Sequence, residues 1–449
     1  MVIEKVQISN KIDFLFLEKQ KAQLSSNYLQ TDNSEKMSQF LVNLGIQSST
    51  IGVKNSGDYT ILTQASKNTN NPELAQYRSI VYRNGLDGKP VLMSVAPPSA
   101  IDLHGFEKQN PLPLDKNHTI HANEAIEGTM INLFFDHFDQ KWEIATKSAI
   151  AGEYWFFRTN YFDGDDKPIT FREMFVDAMM PKIDMDMANM YAEEDEDPLQ
   201  KIPLLEILPK DYSYSFVIQH PANHIVLNLT SVAVYLVSVF HVGDHANTNL
   251  VEWISPLHYE TWSQFSSKYS TIQFPRKYEI TSYEDLWSTY CSPESKNHSV
   301  GVMIHNLANG ERTIMRNHNY VDLRFIRGNH PNMQYKYFEL RSQPREMMQT
   351  FLANFPQYVN MFATFEEQFV EFVQQVHSAY ISYYVKKSGA RIAKRLFPMM
   401  YRMHHEEFLV YRRTMRKELV FQFLEKQKIT DLMYYINMNM NEIDQEKIE

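Results

Sequence analysis

Glu124-Ala125-Ile126-Glu127-Gly128-Thr129-Met130-Ile131-Asn132 is the stretch on which the fold of this chain turns. Gly128 and the small hydroxyl residue Thr129 open into the apolar run MINLFF, which has the length and composition of a β-strand. Ahead of it, Ala125 and Glu127 stand on either side of Ile126. An alanine cannot act as a nucleophile. Whether the chain is an enzyme therefore depends on a few positions here and on what the rest of the sequence brings beside them.

The chain has 449 residues, room for two or three domains, and its 43% hydrophobic content with 26 Tyr and 28 Phe supplies ample core. No run of about 18 uncharged apolar residues occurs, which argues against a membrane span. The N-terminus, MVIEKVQISNKIDFLFLEKQK, is charged throughout and lacks the pattern of a secretory signal. The single cysteine, Cys291, excludes an intramolecular disulfide and a cysteine-based zinc cluster, and it suits a reducing, cytoplasmic setting. The net charge of −10 disfavours a polyanion partner only on average. Acid is gathered in Glu193-Glu194-Asp195-Glu196-Asp197, an expected exposed insertion. Base is gathered near the C-terminus, in Lys386, Lys387, Arg391, Lys394, Arg395, Arg402, Arg412, Arg413, Arg416 and Lys417. Such a segment attracts a polyanion locally even on an acidic protein, or is simply a solvated helical face.

The grammar of the chain changes twice. Residues 1–75 mix short apolar runs with polar stretches such as that at 64–72, expected as a loop, and form an N-terminal extension packing on the core. From 76 to 345, segments of strand length recur between turn signals, among them YRSIVYR, KPVLMSVA, KWEIATKSAI, YSFVIQH and SVGVMIHNL. One helix intervenes, where Thr170 and Glu173 make a capping-box pattern. Asn309-Gly310 predicts a hairpin turn. From 346 to 449, apolar residues recur at three- and four-residue spacing, and Ser388-Gly389 can end the helix that runs through FLANFPQYVNMFATFEEQFVEFVQQVHSAYISYYVKK. The expected fold is α+β: an antiparallel-sheet domain followed by an all-helical one.

Four segments in order resemble the RNA ligases of the phage tRNA-repair type, which are covalent nucleotidyltransferases with an ATP-grasp-like domain. In that family a lysine within Lys-x-Asp-Gly attacks ATP, AMP passes to an RNA 5′-phosphate, and a 3′-hydroxyl displaces it. Here Ala125 takes the lysine position and Glu127 the aspartate position. In Trp142-Glu143-Ile144-Ala145-Thr146-Lys147-Ser148, Lys147 matches a lysine near nucleotide and RNA phosphates. Tyr214 to Val226 resembles Phe-Glu-Phe-x-x-Pro-x-Asn-Arg-Ile-Val: Pro221, Asn223, Ile225 and Val226 coincide, His224 replaces the arginine, and Val217 the glutamate that contacts the sugar. In the fourth segment Val300 stands for a metal-holding glutamate. Ile314 and Arg316 stand for the two phosphate-binding lysines of Lys-x-Lys. The run Arg324-Phe325-Ile326-Arg327-Gly328-Asn329-His330-Pro331 is similar to a subgroup associated with large DNA viruses.

The replacements form a set. Ala125, Val217, Val300 and Ile314 lie far apart in sequence, should line one pocket by this resemblance, and have all lost a polar head. Joint loss is physically coherent, because a buried charge without its partner is costly while an apolar replacement of both can be neutral. The expectation is a pocket filled with core, closed or shallow, that holds neither ATP nor metal: a catalytically inactive ligase-fold protein acting as an RNA-binding or assembly component, with RNA (a tRNA included) or protein partners in the cytoplasm or a virion. The RNA-compatible groups are Lys147, Arg316, Arg324, Arg327, His224, Asn223 and the basic tail. Interleaved Tyr383, Tyr384, Tyr401 and Tyr411 either stack bases or belong to the core. His404 and His405, adjacent on a helix, point apart and favour a structural role over metal binding. Two alternatives remain: an active ATP- and magnesium-dependent RNA ligase in RNA repair with a displaced nucleophile, Lys141 or Lys147, and a structural component of a virion or complex without RNA contact. A shifted register would bring in Glu206 or Glu294.

Overall fold

The computed structural model describes residues 51–64, 78–84, 90–112, 119–154, 169–181, 197–223, 225–242, 251–295, 299–330, 332–389 and 391–446. Most of the expected N-terminal extension, the acidic stretch Glu193–Glu196 and His224 lie outside these residues. Contacts divide the chain into two compact units, the first ending at Phe325 and the second beginning at Ile326.

The first unit is a mixed α+β structure. Strands β1 (Ile51–Ser56), β2 (Tyr59–Gln64), β3 (Ile80–Asn84) and β4 (Pro90–Val95) form an antiparallel meander. Helix α1 (Leu103–Gln109) follows, then β5 (Ile120–Glu124), β6 (Thr129–Asp136), β7 (Lys141–Ala145), helix α2 (Phe171–Met179), β8 (Tyr212–Gln219), β9 (Ala233–His241), β10 (Glu252–Ile254), β11 (Ile272–Gln273) and β12 (Lys277–Tyr278). Helix α3 (Tyr283–Tyr290), β13 (Gly301–Asn306) and β14 (Arg312–Arg316) complete its sheets. The second sheet runs β10-β9-β8-β6-β7, with β11 parallel to β9, and the third runs β12-β5-β13-β14.

Period-two alternation explains how β6 joins two cores. Ile131, Leu133 and Phe135 face the side that packs α2 through Phe171, Met174 and Phe175. Phe134 faces the first sheet, against Tyr59, Ile61, Val81 and Met93. Helix α2 starts as its sequence predicts: Thr170 accepts from the Glu173 main-chain N–H, and the Glu173 carboxylate accepts from the Thr170 N–H at 2.7 Å. The third sheet is two-faced. Ile120, Ala122, Val302, Ile304 and Met315 pack with Phe106 of α1 and Leu286 of α3. Asn123, Met303, His305, Arg312, Ile314 and Arg316 line a cavity on the other face.

Helix α4 (His318–Arg327) leads into the second unit, which is helical: α5 (Met333–Arg341), α6 (Arg345–Asn354), α7 (Val359–Tyr380), α8 (Phe397–Met403), α9 (Lys417–Glu425) and α10 (Ile429–Glu446). The helix expected to run unbroken from 351 is two helices. Pro356, lacking an N–H, opens a separate turn between α6 and α7. The expected end at Ser388-Gly389 comes slightly early: α7 ends at Tyr380, a π-helical turn carries the chain to Val385, and Lys387 already takes a left-handed φ of +47°. Phe351, Phe362, Phe365, Phe369 and Phe372 form its buried aromatic spine. No helix among the described residues is long and apolar enough to cross a membrane.

Candidate functional site

The chain passes from the third sheet to the second between β5 and β6, and residues 125–128 make that crossing. The crossing is pinned at both ends. The Ala125 N–H donates to the Gly301 carbonyl at 3.0 Å. Thr129 accepts from the Asn223 side chain at 2.7 Å, and Gln219 donates to the Glu127 carbonyl at 2.9 Å. The two sheets thus diverge around a cavity of about 530 Å³. Ala125, Val217, Val300 and Ile314 all line it.

That convergence accompanies a correction: the cavity is not filled with core. The replacing side chains stand on separate segments, Ala125 in the crossing, Val217 on β8, Val300 just ahead of β13 and Ile314 on β14, so they strip charge from the walls without reaching across the space between them. What the lining keeps is polar and mostly cationic: Arg78, Arg312, Arg316 and Arg324, with Glu124 and Glu127 as its carboxylates. No lysine is among the lining residues described, so Lys141, on β7, and Lys147, exposed in the turn after it, stand apart from the cavity, as do Glu206 and Glu294.

Glu127 is buried and occupied. Its carboxylate accepts from the main-chain N–H of Val226 at 2.9 Å and of Leu227 at 2.8 Å, and from the Tyr320 hydroxyl at 2.8 Å. Burial pushes its carboxyl above the ordinary carboxylate value, opposed by Tyr320, the two N–H donors and the charge of Arg324. This side chain ties the crossing segment to the loop after β8 and to α4. It has little left to offer a ligand.

Arg312, only 4% exposed, donates to the Pro98 carbonyl at 2.6 Å and the Pro97 carbonyl at 3.3 Å. Burial lowers its guanidinium pKa well below the usual value, and the charge of Arg78 lowers it further. Arg78 is itself pushed down by burial. Opposite Arg312 on the neighbouring strand sits His305, whose pKa is lowered to about 3 by burial, then by Arg312 and by His121. Four arginines against two carboxylates, one of them Glu127 with its oxygens already hydrogen-bonded, leave an excess of positive charge suited to an anion. A divalent cation fits poorly, because Glu127 is saturated and Glu124 shares the cavity with the arginines. Among the described residues no cluster of three or more His, Cys, Asp or Glu side chains has metal-binding geometry.

The depressed His305 pKa has a measurable consequence. A group whose folded pKa lies below its unfolded value contributes stability that is full above the unfolded value, near 6.5, and is lost as pH falls toward the folded value, about 3. Denaturant unfolding should therefore lose up to about 1.4 kcal/mol per pH unit below 6.5 from this one group. His305→Gln should flatten that part of the slope between pH 6.5 and 5, before carboxylates titrate. Identical slopes in the two proteins would show that His305 is not held neutral.

The remaining sequence candidates separate by burial. Arg316 and Arg324 are exposed at the cavity. Asn223 is buried and serves the crossing through Thr129. Arg327 is 2% exposed, donates to the His330 carbonyl and lies over the Tyr358 ring, so the fold rather than RNA holds it. Arg395 is also buried, bonded to the Tyr435 carbonyl and to Gln375. Lys386, Lys387, Arg391, Lys394, Arg412 and Arg413 are exposed in the helical unit. His404 stacks on Tyr384 with centroids 3.9 Å apart and accepts or donates a 3.0 Å bond with the Tyr380 hydroxyl. Sequence reasoning missed Arg78, Arg312, His305 and Tyr320. Arg312 carried a signal, since it alternates with Ile314 and Arg316 along one strand face.

No protein-family model matches this chain, and no curated protein does. Solved structures of the Naegleria gruberi RNA ligase are similar to it at the margin. A lysine-to-alanine variant with ATP and manganese gives a TM-score of 0.30 at 8% identity, covering 61% of this chain and 93% of that one. The ligase with pyrophosphate gives 0.29 at 8%, with the same coverage. A glutamate-to-alanine variant with AMP and manganese gives 0.30 at 9%, also with the same coverage. Overlap this loose carries no argument about what the chain does.

Proposed function

We propose that this chain is an RNA-ligase-like scaffold that has lost adenylation and binds RNA through an arginine-lined cavity, as a binding or assembly component rather than a joining enzyme. The observation that carries the reading is the cavity itself. It gathers the four positions where the resemblance expects a nucleophile, two carboxylates and a phosphate lysine, and its described lining offers Ala125, Val217, Val300 and Ile314 there instead. Lysyl-adenylate chemistry needs an unprotonated amine beside the α-phosphate and a carboxylate-held metal to draw off charge. Among the described lining residues there is no lysine, and the two carboxylates, Glu124 and Glu127, stand away from the Val217 and Val300 positions where the resemblance expects them. Arg316 and Arg324 suit a phosphate through the planar, bidentate guanidinium fork.

The displaced-nucleophile alternative is disfavoured by the same lining, which places neither Lys141 nor Lys147 at the cavity. Incubation with labelled ATP and magnesium or manganese, followed by denaturation, should leave no label on the protein. Ala125→Lys should leave none either, because it restores the amine without the carboxylates. A covalent adenylate on the unaltered protein would overturn the proposal. RNA affinity should fall steeply with salt, and Arg316→Ala should reduce the slope of log K against log salt by about one. Binding insensitive to salt would exclude a phosphate contact.

A further inference from the structure

We infer that the helical unit carries a second, separate binding face, one that takes single-stranded nucleic acid by stacking its bases on exposed tyrosines. In this unit, tyrosines that serve the core are buried: Tyr358 is 6% and Tyr380 2% exposed. Tyr383, Tyr401 and Tyr411 are 48%, 58% and 59% exposed. Sequence periodicity could assign all of them to the core equally well; the fold sorts them into two groups.

The exposed rings belong to a connected aromatic surface. Tyr383 meets Phe397 edge-on at 5.5 Å and Tyr384 at 4.9 Å, and Tyr384 stacks on His404. His404 meets His405, which lies 4.1 Å from Tyr401. The half-buried rings of Tyr384 and His404 therefore anchor the chain of contacts, Tyr384 directly against Tyr383 and His404 through His405 to Tyr401. Tyr384 and His404 lie in π-helical turns, Ile381–Val385 and His404–Leu409. Such turns are rare and frequently mark functional sites.

Charge selects the occupant. The acids nearby are already engaged, Glu406 with Arg402 and Glu407 with Arg413. Lys386, Lys387, Arg391 and Lys394 are exposed between Tyr383 and Tyr401, and Arg412 lies over the Phe408 ring. A face of open aromatic rings among cations fits bases for the rings and phosphates for the charges. A duplex hides its base faces inside the stack, so the match is to a single strand. This face owes nothing to the cavity and stands or falls apart from the function proposed for it.

The test measures anisotropy of a short, labelled, uridine-rich RNA with the full chain. Tyr383→Ala with Tyr401→Ala should weaken binding roughly fivefold or more, while the corresponding phenylalanine pair keeps the affinity, and the same sequence as duplex binds more weakly. Unchanged affinity in the alanine pair would overturn the proposal, as would equal affinity for the duplex. Capture by phosphatidylserine vesicles in preference to RNA would assign the face to a lipid surface and overturn it too. Arg316→Ala separates the two sites: the loss caused by the tyrosine pair should persist in that background. A covalent adenylate would remove the cavity proposal and leave this one intact.

Discussion

Replacing Asp136 by alanine should lower the unfolding free energy by about 3–5 kcal/mol, a value typical of breaking a buried ion pair from one side. Asp136 ends β6 and is fully buried. Its carboxylate accepts from the Tyr59 hydroxyl and the Arg83 guanidinium, and from the main-chain N–H groups of Phe138 at 2.8 Å and Asp139 at 3.3 Å. Tyr59 and Arg83 stand on β2 and β3, so this one side chain clamps the first sheet to the second. Arg83 also binds Asp139 at 2.8 Å, holding that carboxyl below the usual carboxylate range. Without Asp136, Arg83, only 7% exposed, keeps only the more exposed partners Asp139 and Asp58, and the Tyr59 hydroxyl loses its acceptor. Loss of the buried acceptor from these desolvated donors accounts for the size of the effect. A double variant, Asp136→Leu with Arg83→Met, should recover part of it, since no buried cation then remains, while the exposed Asp58 and Asp139 lose little by losing Arg83. Urea denaturation of the single and double variants decides. A single variant within about 1 kcal/mol of the parent would place the pair among weak, surface-type bridges.

The sequence showed more of the scaffold than of the site. The strand-length apolar runs MINLFF and SVGVMIHNL, the Thr170 cap and the turn at Asn309-Gly310 are local signals, carried by residues a few positions apart, and the structure bears each out. Convergence of Ala125 with Ile314 is different in kind, because it depends on β5 pairing with β13 and β13 with β14. No periodicity records such pairings, and only the resemblance suggested the grouping. Residue type also failed to distinguish cations. Arg316 and Arg327 look alike in sequence, yet one opens onto the cavity and the other is enclosed beside Tyr358. The loss of polar heads was legible at four positions, but the space they leave depends on what stands across from them. Among the described residues the lining does not close over them, and the cavity remains.

Gly128→Ala should cost on the order of 3 kcal/mol and abolish cavity-dependent binding with it. Gly128 adopts φ +152°, where side chains are strained, and any Cβ there would lie far inside contact with the Ile218 carbonyl oxygen and 2.8 Å from Val217 Cγ1. Both obstacles belong to β8, the neighbour of β6 in the sheet, so relief requires the strands to part at Thr129–Ile218 and Met130–Val217. Parting them would draw Glu127 away from the Val226 and Leu227 N–H groups and Thr129 away from Asn223, which are the bonds that shape the cavity wall. Gly57→Ala is the proper control. It too sits at positive φ, +57°, in the β1–β2 turn, but a Cβ there meets nothing within 4 Å, so its cost should stay near the ~1–2 kcal/mol of a left-handed residue. The difference between the two variants in urea denaturation isolates the close approach of β6 and β8 from backbone strain alone. If Gly128→Ala were no worse than Gly57→Ala, the crossing segment would have slack, and the close approach at Gly128 would not be what holds the cavity open.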